Sequence, residues 1–123
     1  MTLVTEQKNI FVQYYQDRFL RMALLLGSLF NSMLWLLLAY HINAFPEIMP
    51  LHYNIYYGID SYGPWHYIFI MPLVGLIILV INFLFSLLVL SREKALSYLL
   101  LGSASFAQLI ILISGFTVIA INQ

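Results

Sequence analysis

The chain has 123 residues, 63% of them hydrophobic, with a mean hydropathy of +0.92 and only 8% charged, against roughly 25% charged residues in soluble domains. A soluble domain of this size would lack the surface charge that keeps it in solution, so the composition is that of a membrane protein. Zero net charge argues against a nucleic-acid partner, and the absence of cysteine rules out a disulfide framework, a thiolate metal site and a cysteine nucleophile.

The first segment, TEQKNIFVQYYQDRFLR, carries Ile10, Phe11, Tyr14 and Phe19 near helical spacing, with Lys8, Gln13, Asp17 and Arg21 between them. That pattern predicts a weakly amphipathic helix over 5–21, with Thr5 as N-cap and Glu6 in the first turn, lying at the membrane interface or leading into the first span. Three charge-free runs follow at 22–40, 67–90 and 95–121. Each is long enough to cross a hydrocarbon core of about 30 Å, which takes about 20 helical residues. The expected fold is therefore an all-α membrane protein, a single membrane domain with three transmembrane helices, the leading helix, and an ordered outer loop at 41–66.

Lys8, Arg18 and Arg21 precede the first run, Arg92 and Lys94 sit in the turn at 91–94, and no Lys or Arg lies in the loop. The positive-inside rule then puts the N-terminus and that turn inside, and the loop and the C-terminus outside, in a bacterial-type cytoplasmic membrane. The first run is too long for the apolar core of a signal peptide and is read as an uncleaved anchor.

All four prolines, two of the three histidines and five of the nine tyrosines fall within 45–72, FPEIMPLHYNIYYGIDSYGPWHYIFIMP. So many aromatic residues would be poorly solvated in a floppy linker, which makes an ordered cap the expectation, part of it an aromatic belt at the headgroups. Pro46 and Pro50 oppose helix. HYNIYY is compatible with one short strand, which would have no partner in the chain, and YGIDSYGP reads as a turn.

Pro46, Pro50, His52, Asn54, Gly58, Asp60, Tyr62, Gly63 and Pro72 stand at the spacing P-x3-P-x-H-x-N-x3-G-x-D-x-Y-G-x8-P. Over about residues 45–75 this resembles an uncharacterised bacterial membrane domain that occurs alone in small membrane proteins and at the front of SdpI-type proteins. Those give immunity to a secreted peptide toxin and signal its presence. Ile59 stands where that pattern usually has proline, and the later helices of full immunity proteins have no counterpart here. The resemblance implies a role in toxin sensing or immunity.

His41, Glu47, His52, Asp60 and His66 are zinc-ligand types, but their spacing matches no compact metal motif, so no metal or cofactor is expected. His52 is expected to bond a backbone carbonyl or Asp60 and pin the loop. With no nucleophile-elbow serine and no acid dyad, an enzyme is not expected. His52, Asn54, Asp60 and Tyr62 are the candidate recognition or loop-ordering residues.

Within the spans, Asn31, Asn82 and Gln108 lie about 14, 12 and 20 Å from the inner ends at 1.5 Å per residue, close enough to meet. Interhelical contact is their expected role, because a transport path would more often carry an ionisable side chain. Ser97, Ala104, Gln108 and Gly115 share one stripe of the third span and mark its packed face. Together these features predict a small non-enzymatic membrane protein whose outer loop binds a peptide, lipid or partner protein. A structural subunit of a larger complex is the alternative, with an oligomeric channel or transporter behind it. The bilayer and a second copy or larger membrane partner are the expected associations.

Overall fold

A charged residue breaks the helical pattern before the first apolar run begins. In this computed structural model, which describes residues 10–56 and 58–122 but not the side chains of 52–54 and 59–61, helix α1 (residues 10–16) stops at Asp17 and α2 (Arg18–Tyr40) starts behind it. Asp17 adopts extended backbone and its Oδ1 accepts the Leu20 amide at 3.0 Å, an N-cap that the continuous helix expected over 5–21 does not contain. The expected Thr5 cap lies outside the described residues.

Two further helices follow, α3 (Ile70–Val89) and α4 (Lys94–Ile121). With α2 they are long and apolar enough to cross a membrane, close to the three runs read from the sequence. Because the α3–α4 turn is short, α3 runs antiparallel to α2 and α4, and α4 packs extensively against both. The stripe of Ser97, Ala104, Gln108 and Gly115 is buried in those contacts.

The outer surface of the bundle is apolar, unlike that of a soluble protein. Ser86, Ser97 and Gln108 are inside, while Leu25, Leu36, Leu84, Leu88, Leu99 and Phe106 face outward. Large apolar side chains on the periphery with small and polar ones at the helix contacts suggest a multi-pass membrane protein. Two apolar clusters fill the interior. One surrounds Leu20, Leu79 and Leu101 at the end where α2 begins; the other surrounds Leu34, Ile68, Leu112 and Val118 at the opposite end.

Between α2 and α3 the chain departs from the all-α expectation. Strand β1 (Ile48–Asn54) pairs antiparallel with β2 (Gly58–Pro64), so the strand expected to stand alone has a partner, and the segment read as a turn supplies it. Gly58, the first residue of β2 and opposite Asn54, has φ 76°, a left-handed conformation that glycine adopts without steric cost where the chain leaves the turn. Pairing passes from Pro50↔Tyr62 to His52↔Ser61 and then to Tyr53↔Ile59, which leaves Leu51 and Asp60 as the extra residues of two bulges. Short 3-10 turns, Ile42–Ala44 and Trp65–Phe69, connect the hairpin to α2 and α3.

The hairpin and the α3–α4 turn thus stand at opposite ends of the bundle. Since the chain has no cysteine, Ile55→Cys and Ser91→Cys each introduce a single thiol. In intact cells an impermeant maleimide is expected to label Ile55→Cys and to reach Ser91→Cys only after lysis. Labelling of both from outside would contradict the spanning arrangement, and the reverse pattern would contradict the orientation.

Candidate functional site

Buried amides dominate the middle of the bundle. Asn31, on α2, donates through Nδ2 to the Pro72 carbonyl at 2.9 Å and to Gln108 Oε1 at 3.1 Å, and its Oδ1 accepts the Trp35 indole N–H at 3.1 Å. Gln108, on α4, donates to the Gly75 carbonyl of α3 at 2.7 Å and, at 3.4 Å, to Ala104 in its own helix. One connected group therefore joins all three long helices. Gly75 makes this geometry available, because a Cβ there would lie 2.7 Å from Gln108 Oε1 and 3.1 Å from Asn31 Nδ2. Asn82, expected to join them, instead donates to Ile78 of its own helix at 2.8 Å. It sits more than a turn beyond Gly75, towards the α3–α4 end.

A second polar group lies where α1, α3 and α4 meet. Ser86 donates to the Phe83 carbonyl at 2.7 Å, so at 2.8 Å its Oγ is the acceptor for the Tyr14 hydroxyl, and Ser97 donates to the Ser86 carbonyl at 2.8 Å. Burial raises the Tyr14 phenol above its ordinary value, which keeps this donor protonated. Ser105 of α4 bonds the Ala23 carbonyl of α2. Among the described residues, no buried side-chain polar atom lacks a partner.

Among the described residues, Asp17 is the most heavily engaged charge. Beyond capping α2 it accepts from Tyr98 and pairs with Lys94 Nζ at 3.3 Å, both on α4. Burial pushes its carboxyl upward, but the hydrogen bonds from Tyr98, the Leu20 amide and Lys94 outweigh that effect and hold it below the ordinary carboxylate value.

At the other end the hairpin has a fixed root and a projecting tip. Met49 is fully buried in the same cluster as Ile68, Leu38 and Val118, and Leu51 packs against it. The Trp65 amide donates to the Glu47 carbonyl at 3.2 Å, and Asn122, at the end of α4, donates to the Pro50 carbonyl at 3.3 Å. Trp35 and Phe69 stack at 5.9 Å beneath the root. Ile48, Ile55, Tyr56 and Tyr62 are exposed, the last by 65%.

Of the four residues singled out in this loop, His52 and Asn54 fall on β1 and Asp60 and Tyr62 on β2. The side chains of His52, Asn54 and Asp60 lie outside the described residues, so the expected pinning bond of His52 does too. His41 donates through Nδ1–H to the Leu37 carbonyl, 2.9 Å away, and closes the end of α2. No group of three His, Asp or Glu side chains that could hold a metal occurs among the described residues.

Comparison with protein-family models, curated proteins and solved structures returned no match.

Sequence reasoning passed over Asp17, Trp35 and Gly75. An acid directly before an apolar run, three residues from an amide it can accept, was the available signal for Asp17. A glycine in the interior of an apolar helix was the signal for Gly75.

Stability measured in detergent tests these contacts. Gln108→Leu, which strips Asn31 of a partner, and Gly75→Ala, which displaces the Gln108 amide, are each expected to cost about 1–3 kcal/mol. Asn82→Leu should stay within about 0.5 kcal/mol of the parent. Because the folded pKa of Asp17 is depressed, its contribution is fully present above the ordinary value of 3.8 and is lost as pH falls through the lower folded value. The melting temperature is expected to fall on acidification through that window, and Asp17→Asn to remove much of the fall; equal acid sensitivity in the variant would refute this role.

Proposed function

We propose that this chain is a small, non-enzymatic, multi-pass membrane protein whose hairpin cap binds a peptide or a partner protein on the outer side of a bacterial-type cytoplasmic membrane. The observation that carries the reading is the contrast within the hairpin. Its root is fastened by Met49 and by the Asn122 and Trp65 bonds, while Ile48, Ile55, Tyr56 and Tyr62 remain exposed. A cap that only sealed the helix ends would turn such side chains inward.

The two-stranded sheet adds a means of binding, since each strand has a single partner among the described residues and an extended peptide can pair along an outer edge. That mode suits the peptide-toxin sensing or immunity implied by the resemblance to the front domain of SdpI-type proteins, in which His52, Asn54, Asp60 and Tyr62 would sit on the recognition hairpin. A conducting pore is less well supported. Asn31 and Gln108 spend their hydrogen bonds on each other, on Trp35 and on backbone carbonyls, which is the behaviour of packing contacts. The accessory-subunit reading uses the same exposed hairpin, with a membrane complex as its occupant.

Native mass spectrometry of protein extracted in mild detergent tests this. A peptide or protein held in fixed ratio is expected on the parent and is expected to be lost from Ile55→Ser/Tyr62→Ser, with helical circular dichroism unchanged. A bound polypeptide that survives the double substitution, or none at all on the parent, would remove the hairpin as recognition element.

A further inference from the structure

At the end where α2 begins, α1 and the α3–α4 turn enclose an open cleft of about 710 Å³, whose lining includes Gln13, Gln16, Arg18, Ser91 and Lys94. Arg18 and Lys94 bring positive charge, and the Gln13 and Gln16 amides and the Ser91 hydroxyl can each donate a hydrogen bond. Asp17 also lines the cleft, but its Oδ1 is taken by the Leu20 amide and its Oδ2 by Tyr98 and Lys94. Its charge is thereby offset by Lys94, and Arg18 has no acid paired with it among the described residues.

Phe19 belongs to the cleft and also to an apolar groove of about 410 Å³ that runs between α2 and α4. Its floor is low because Ala23, Gly102 and Ser105 are small, and Met22, Leu26 and Phe106 form its sides. From Phe19 to Phe30 the groove follows α2 for about 16 Å at 1.5 Å per residue, close to half of a hydrocarbon core of about 30 Å. A cationic cleft and an apolar groove one leaflet deep, with Phe19 as a wall common to both, match a molecule with an anionic head and an apolar tail.

We propose that the cleft and groove together form a binding site for one anionic phospholipid. Its phosphate sits by Arg18 and Lys94, with Gln13, Gln16 and Ser91 as neutral donors, and one acyl chain lies along Phe19, Ala23, Gly102 and Phe106. Charge complementarity selects the headgroup: with Lys94 offsetting Asp17, Arg18 leaves the cleft net positive, and a zwitterionic lipid would bring a further cation into it. Shape selects a lipid over a free anion, because only an acyl chain fills the groove. The site rests on the reading that the bundle spans a bilayer, and it is independent of what the hairpin binds.

The test uses full-length protein in nanodiscs containing equal amounts of phosphatidylcholine and phosphatidylglycerol, with the lipids that stay bound after gentle release counted by native mass spectrometry. Preferential retention of one phosphatidylglycerol is expected. Arg18→Gln, an exposed position with little bearing on the fold, should weaken that retention about fivefold, the worth of one basic residue near an anionic surface. Gly102→Leu, which places a side chain beside the Phe19 ring, should reduce retention while leaving Arg18 in place. Equal retention of the two lipids, or no change in Arg18→Gln, would overturn the site. Displacement of the lipid by inorganic phosphate would overturn it in favour of a free-anion pocket. Flotation of the protein with vesicles after alkaline extraction separates the two readings: protein that floats but shows no lipid preference disproves the lipid site alone, and protein that does not float disproves the spanning bundle beneath it.

Discussion

Hydrocarbon offers no hydrogen bonds, so any amide carried into it must be met by another group of the protein. Asn31 and Gln108 turn that requirement into architecture. Each reaches a backbone carbonyl of α3, at Pro72 and Gly75, and they reach each other, so none of the three helices can move away without stranding a donor. Apolar contact alone does little to hold helices together in a bilayer, where lipid tails satisfy a leucine as well as another leucine does. In this bundle the polar layer supplies the direction that apolar packing lacks, with an apolar cluster on either side of it.

The two ends of the molecule are built on different principles. Where α2 begins, charge and hydroxyl groups fasten α1, α2 and α4 around Asp17, with Lys94 paired to it and Arg18 next to it. At the other end the fastening is mainly apolar, with Met49 and Leu51 of the hairpin driven into the same cluster as Leu38 and Val118. The hairpin itself would be marginal in isolation, because a two-stranded sheet buries too little surface. It is ordered because its root is part of the bundle core, and this fixed root presents the exposed residues of the tip in a defined direction.

Much of the scaffold was legible because bilayer thickness imposes a length that composition reveals directly. The starts and ends of α3 and α4 fall within a few residues of the runs read from the sequence, and the stripe through Ser97, Ala104, Gln108 and Gly115 is the buried one. Depth counted along separate helices, in contrast, did not fix which residues meet. Asn82 stands seven residues from Gly75, about 10 Å nearer the α3–α4 turn at 1.5 Å per residue, and bonds its own backbone, whereas Trp35 joins the amides although nothing in its position marked it. The hairpin was missed because proline and glycine were read as breakers. Pro50 and Pro64 stand within the strands, and the bulges at Leu51 and Asp60 blur the alternation by which a strand is recognised. For the candidate recognition residues, the sequence located the segment and not its shape.

Asn31 follows Asp17 by the same number of residues as Gln108 follows Lys94, two heptads in each case. Since α2 and α4 run parallel, the ion pair at the mouth and the amide pair in the middle act like two rungs of one ladder, about 21 Å apart at 1.5 Å per residue. Sliding α4 by a turn would part the amides and draw Lys94 and Tyr98 away from Asp17. The height of α4 against α2 is thus set twice, once at the mouth and once in the middle of the bundle.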